Sequence, residues 1–504
     1  SYIEPLNLSA LNVMHGTRGN SMGNTVGGAL DLKLETPEPG IGKTHSVVLG
    51  GGYNSISSGV DGNLAFALNQ RKWAFILSSS YRKHNNYSDG LGNEVQFSQF
   101  EKFNLHTGFA YKLGSTQMLK TNVIIDNGIN VGYPALPMDV SLAKGRIYSL
   151  DYLLNPIQSP ILRFKAKIYA NTVYHVMDDS QRDSIFVLNN ASRDTVGMRM
   201  DMPGWSDTYG AYAEMEIASS TKSRLYLKVD NYLNKLRAEM TMYMNNPKMP
   251  GEPPMFVETW PEMERYAAGI YASYKYFFNA ALSFNADARM DISNTKIVSD
   301  FGRQQFSIFG YDVSEADQRV TKGANTSLVW KPAKIIRTEF GLGYGERIPT
   351  ISELYGFYLF NAHDGYDYIG NPDIKNESVF NGWLKSDYAS KNVKLSFEAR
   401  YSRLYDYISG VTEPEIGTLN LYASGTRVYK NISNATIMGA SLYAQWQASK
   451  RLVLISSASY TYGAYADGSP IQLMPPLQNF LALSYALKRY NVQLENESAL
   501  AQNR

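Results

Sequence analysis

From Thr44 to the end of the chain, apolar and polar residues alternate one by one, and this period limits the fold more than any other feature. Trp73, Phe75, Leu77 and Tyr81 alternate with Ala74, Ile76, Ser78 and Ser80. Leu225, Leu227 and Val229 alternate with Tyr226, Lys228 and Asp230, and Leu395, Phe397, Ala399 and Tyr401 with Ser396, Glu398, Arg400 and Ser402. In an extended strand the two sets project to opposite faces, so one face meets something apolar and the other carries charge that needs water. A soluble sandwich satisfies this pattern, and so does a membrane barrel with a wet lumen. Length separates them. Several stretches run roughly 10 to 15 residues, against about five or six in soluble sheets and about 9–11 for a bilayer-crossing strand. Aromatic residues gather at their ends, as in Tyr401, Tyr405 and Tyr407 or Tyr271, Tyr274, Tyr276 and Phe277, where a membrane would meet water.

The connections also alternate. Short turns such as Asn69-Gln70, Leu113-Gly114-Ser115 and Ser219-Ser220-Thr221 take turns with long polar loops near 85–98, 130–142, 179–203, 238–258, 295–317, 349–375 and 409–422. Outer-membrane barrels have short periplasmic turns and long external loops. The expected fold is therefore all-β: a transmembrane antiparallel β-barrel over residues 44–504, with about eighteen strands in this chain. No run of 18 apolar residues is present, which excludes a transmembrane helix. The net charge of +2 is spread along the chain and gives no footprint for nucleic acid. Without cysteine there are no disulfides, thiolate metal sites or thiol nucleophiles. No acid–base or nucleophile constellation suggests an enzyme, and no catalytic cofactor is expected. Ser1 follows no signal peptide, so an exported protein of this kind is expected to have a longer precursor.

The first 43 residues differ. Gly16, Gly19, Gly23, Gly27 and Gly28 lead into the alternating Ala29-Leu30-Asp31-Leu32-Lys33-Leu34, and a Pro/Gly link from Glu35 to Gly42 precedes the barrel. A phosphate-binding loop is the competing account of these glycines. It lacks its lysine and Ser/Thr, and a strand follows where a helix is needed. Val13-Met14-His15-Gly16 followed by Gly27-Gly28-Ala29-Leu30-Asp31-Leu32 instead resembles the end of the plug domain in TonB-dependent receptors, with His15 where that family usually has Arg. Glu346-Arg347-Ile348-Pro349, Glu353-Leu354-Tyr355 and Gly370-Asn371-Pro372-Asp373-Ile374-Lys375-Asn376-Glu377 resemble the family's barrel signature, and Tyr405-Asp406-Tyr407-Ile408 follows at the usual distance. The resemblance implies a plug inside a 22-strand barrel in outer-membrane lipid, driven by the TonB energy-coupling complex. Residues 1–43 would be the end of the plug. Arg504 is not the aromatic residue that typically ends such barrels, so the last strands are expected beyond it.

Methionine is the compositional oddity. Of 18 methionines, 11 fall between Met177 and Met263. Met198, Met200 and Met202 form one trio at period two, and Met240, Met242 and Met244 another, each placing three thioethers on one face of an extended strand. His175 and Met177 share a face just before them. Thioethers select Cu(I), and imidazole accepts either copper oxidation state. Adaptable apolar packing on a lipid-facing strand is the competing account of either trio. Tyr174-His175-Val176-Met177-Asp178-Asp179, a Met-rich loop and Trp205-Ser206-Asp207-Thr208-Tyr209-Gly210 together resemble the copper-type TonB-dependent receptors (the OprC/NosA group). In that group a His-x-Met pair near the external face supplies copper ligands, which here falls on His175 and Met177. Ser1-Tyr2-Ile3-Glu4-Pro5 also resembles the residues just after that group's plug copper-binding stretch. The expected cargo is a copper ion. The alternatives are a siderophore, haem or other chelated nutrient, for which the tyrosines of 355–368 suit stacking, or a platform for a surface lipoprotein.

Overall fold

The structure is a computed structural model that describes residues 3–40, 44–183, 185–189, 194–246, 248, 249 and 251–502. Ser1, Tyr2 and Arg504, the end of the Glu35–Gly42 link and parts of the 179–203 and 238–258 loops lie outside the described residues.

Nineteen long strands, from His45–Asn54 to Tyr490–Ala499, pair antiparallel with their neighbours to form one barrel wall. The short strand Ile185–Asn189 pairs, among the described residues, with the outer end of Asp194–Ser220 and makes the twentieth member of the sheet. His45–Asn54 and Tyr490–Ala499 are exposed at every residue.

The alternation resolves into a lipid face and a lumen face. On Val393–Tyr405, Leu395, Phe397 and Tyr401 are exposed outward, while Glu398 turns inward to an ion pair with Arg18. On Asp317–Ala333, Val320, Leu328 and Trp330 point out, and Thr321, Asn325 and Ser327 are buried within. Ring pairs mark the membrane edges. Tyr152 stacks edge-on to Phe164 at 6.3 Å, and ten residues further along the same strand Tyr174 meets Trp205 at 5.4 Å. Ten residues at about 3.3 Å each and a tilt of about 40° span roughly 25 Å, the height of the apolar band in such barrels.

Strands at one side of the barrel far outrun that band. Asp194–Ser220 has 27 residues, and Ser223–Asn245 and Met255–Phe277 have 23 each. Their surplus stands above the outer girdle, on the side of the long connections. Several segments read from sequence as loops are thus regular structure. The methionine trios lie on strand extensions, helices occupy Asp300–Ser307 and Ile351–Tyr355, and a mixed four-stranded sheet joins Leu359–Asn361, Tyr366–Ile369, Tyr407–Thr412 and Thr426–Ile432. Cross-strand pairing, invisible in a loop-like composition, decides this.

The signature motif holds this external cap in place. Arg347 donates two hydrogen bonds to Glu353, at 2.7 and 2.9 Å, and one to Glu377 at 3.1 Å. Glu377 also accepts the Ile408 N–H, and Thr350 and Glu353 form a capping box on the helix Ile351–Tyr355. Leu354, Tyr355, Ile374 and Ile408 then pack with Phe306 and Phe357 in one buried cluster.

Inside the barrel, Leu8–His15 and Gly28–Leu34 form a separate antiparallel hairpin. Gly28 must be glycine: its φ is +128°, and a Cβ would stand 2.2 Å from the Met14 carbonyl oxygen. Polar contacts tie the segment to the wall. Asn7 donates to Asn104 at 2.7 Å, Thr17 to Asn381 at 2.7 Å, and the Asn24 N–H to Asp291 at 3.0 Å, while Lys228 donates to the Ser21 carbonyl at 2.8 Å.

Candidate functional site

The two methionine trios face each other in register. Met198 lies opposite Met244 and Met200 opposite Met242, and on the other flank of the same strand Met202 lies opposite Met177. All turn inward. Tyr243, between two of them, is 49% exposed while Met242 is 2% exposed, so the lipid-facing account of the trios does not hold. His175 is one residue beyond the outer girdle residue Tyr174 and on the opposite face, so it too looks into the barrel mouth.

These side chains converge on a cavity of about 230 Å3. His175, Met177, Met198, Met200, Met202, Met240 and Met242 all line it. Met244 packs against the same cluster without reaching the cavity. Met138, from the connection before Asp139–Leu154, is the contributor that sequence reading missed: it is buried in the cluster and lines the cavity. It stands alone in sequence, so no period announced it. Met263 belongs elsewhere, fully buried in the aromatic cluster of the cap, and Met249 and Met255 are exposed.

Among the described residues no carboxylate lines the cavity. Of the nearby acids, Asp139 accepts from Arg182 at 2.8 Å and Asp179 accepts the Met200 N–H at 3.1 Å through one oxygen, while Asp179 Oδ2 and Asp201 Oδ1 are buried without a hydrogen-bond partner among the described residues. Among the described residues no group of three or more His, Asp or Glu is arranged to hold a metal ion. The soft donors in the lining are therefore one imidazole and a set of thioethers.

Two pieces of the cap close the cavity from outside, Tyr358–Phe360 and the segment from Leu419 to Tyr422. A single carboxylate fastens the second piece. Asp367 is completely buried and accepts the N–H groups of Leu419 and Asn420 at 2.7 and 2.9 Å. Burial pushes its carboxyl above the usual carboxylate range, against the opposing pull of those two N–H donors. Tyr355 and Tyr368, suited in sequence to stacking on a chelate, are buried in the protein's own packing.

A wall of long antiparallel strands with aromatic girdles, a polar lumen holding a separate hairpin and an elaborate external cap defines an outer-membrane receptor. The family described as TonB dependent receptor-like, beta-barrel matches residues 73–501, and the chain belongs to it. Among solved structures, the copper transporter OprC is similar over 100% of this chain and 74% of its own, at 18% identity and a TM-score of 0.81. The Serratia marcescens hemophore receptor HasR, in complex with its hemophore HasA and heme, is similar over 99% and 80% at 15% identity and a TM-score of 0.72. The FrpB iron transporter from Neisseria meningitidis is similar over 98% and 75% at 12% identity and a TM-score of 0.68. Identities this low speak to the fold. No curated protein matched by sequence. Members of the family are transporters coupled to TonB rather than enzymes, and they work in the outer membrane.

Proposed function

We propose that this receptor imports copper, with the ion as cargo and not as a catalytic cofactor. The observation that carries the reading is the cavity in which His175 stands with six predicted methionines and, among the described residues, no carboxylate. Thioether and imidazole donors suit copper, whereas hard cations are held by oxygen. Met198 and Met244 lie furthest out, Met200 and Met242 follow, Met202, Met240 and Met177 come next, and His175 lies deepest. An ion captured at the outer methionines passes down this series toward the lumen. We read residues 1–43 as the end of the plug and 44–504 as barrel wall. The TonB complex then displaces the plug, breaking ties such as Thr17–Asn381 and Lys228–Ser21. The likeness to a copper transporter supports the same reading.

A chelated nutrient such as a siderophore or haem is the second reading, since receptors for haem and iron share the fold. The methionine cavity, at about 230 Å3, is below the roughly 300–1,000 Å3 of sites for drug-sized ligands, so a chelate would sit instead in the deeper cavity of about 480 Å3 bordered by Asn24, Tyr169 and Arg289. Copper titration of the purified full-length receptor, wild type against His175→Ala/Met177→Ala, decides between them. Near-stoichiometric copper that drops sharply in the double variant is the expected result. No copper above background in the wild type overturns the proposal in favour of the chelate.

A further inference from the structure

We propose that Trp260 is a ligand-facing residue of this site, presenting its indole face to the cation across a gap from His175. The inference rests on the copper reading and narrows it to a monovalent ion stripped of water. Four residues lie in one transverse row across four neighbouring strands: His175 opposite Gly204, Gly204 opposite Ala238, and Ala238 opposite Trp260. Strands stand about 4.8 Å apart, so the outer two backbones are separated by roughly 14 Å. The two smallest side chains floor the space between them. A Cβ built on Gly204 would lie 3.4 Å from the Ala238 Cβ and 3.8 Å from His175 Nδ1, which puts the imidazole beside the open floor. A cavity of about 90 Å3 is lined by His175, Met202, Gly204, Ala238 and Trp260, among others, and His175, Met202 and Trp260 also border the larger methionine cavity.

The indole is aimed there by the backbone and by its own polar edge. The pairing register shifts on both sides of Ala238, opposite Trp260. Such bulges redirect side chains and are frequent beside functional sites. Trp260 Nε1 donates to Ser352 Oγ at 3.0 Å, so its N–H is satisfied by the cap while the residue borders both cavities. Arg237 already lies over the neighbouring Trp205, 5.4 Å from the ring centroid. No such cation covers Trp260 among the described residues.

An ion in this gap meets an imidazole, the Met202 sulfur and an aromatic face; among the described residues no carboxylate lines it, and Arg237, which also borders it, is ion-paired with Glu239 and lies over Trp205. Indole is the best of the aromatic faces for a cation. The electrostatic cost of dehydrating an ion rises with the square of its charge, so uncharged donors and a ring compensate one positive charge far better than two. The gap thus favours a monovalent ion over a divalent one by charge.

Ag(I), a redox-inert monovalent probe, tests the assignment on purified full-length receptor. Binding is followed by competition titration and by quenching of tryptophan fluorescence, in wild type, Trp260→Phe, Trp260→Leu and His175→Ala, each checked for folding by heat-modifiable electrophoretic mobility. Wild type is expected to bind with quenching. Trp260→Leu is expected to weaken binding about five- to thirtyfold. Trp260→Phe should keep most of the affinity while losing the Trp260 part of the quench, and it alone decides should the leucine variant fail to fold. Wild-type affinity in Trp260→Leu, or an unchanged quench in Trp260→Phe, overturns the role of Trp260. If His175→Ala still abolishes binding in that case, the copper reading survives. Absence of Ag(I) and copper binding in the wild type removes both.

Discussion

Replacing methionine by leucine separates sulfur from shape, and the structure indicates where each matters. Met177 and Met202 face each other in register and are only partly buried against the cluster, with both lining the cavity. Met242 is 2% exposed and packs among Met138, Val196, Met198 and Met200. Leucine has nearly the volume of methionine, so each Met→Leu change costs under about 1.5 kcal/mol. The double variant Met177→Leu/Met202→Leu therefore loses at most about 3 kcal/mol and still folds, because its strands remain paired along their whole length. Losing even an outer-shell partner of a metal ligand weakens affinity by about 10–100-fold, so losing two ligands costs at least that much. Met242→Ala should show the reverse emphasis, destabilising the outer strands by about 2–5 kcal/mol through the void it leaves. Urea unfolding in lipid and Cu(I) titration against a competing chelator measure the two quantities on the same samples. A double leucine variant that binds Cu(I) with wild-type affinity would refute the reasoning, leaving the methionines as packing residues.

Ile168, 59% exposed and midway between the girdle residues Phe164 and Tyr174, faces lipid. Ile168→Arg should cost roughly 2–4 kcal/mol in urea unfolding from bilayers, and no loss would place this face away from the membrane midplane. Gly204→Ala should be tolerated, since its Cβ meets only ordinary contacts, whereas Gly204→Leu should block the floor beside His175 and abolish Ag(I) binding while the barrel still assembles. Asp367→Ala strips the acceptor from two lid N–H groups and should cost about 1–3 kcal/mol, read as faster proteolytic nicking between residues 413 and 425, with Asp367→Asn close to wild type. The raised pKa of Asp367 means that the folded lid holds its proton where the unfolded chain has released it. Lid stability should therefore be greatest below the ordinary carboxylate range and fall as pH rises through the window above it, a dependence that Asp367→Asn removes.

The barrel was legible in the sequence because its physics is local. A period of two is a property of the extended backbone, so Leu395, Phe397 and Tyr401 announced one face and Ser396, Glu398 and Arg400 the other before any partner strand was known. The short turns, the glycine needed at Gly28 and the Arg347–Glu353–Glu377 motif were visible for the same reason, each being a local demand or a recurrent string of residues. The methionine trios were visible as thioethers sharing a face. That they sit on strands rather than loops, and turn toward the barrel mouth rather than lipid, was not visible, because beyond the membrane band no apolar solvent tells one face from the other. Only tertiary structure brought Met138 to the same cavity and set Asp367 beneath the lid. It alone aligned His175, Gly204, Ala238 and Trp260, which are spread over 86 residues of chain, in one row across four strands. Register between distant strands is a collective outcome of pairing, bulges and closure, and no single strand encodes it.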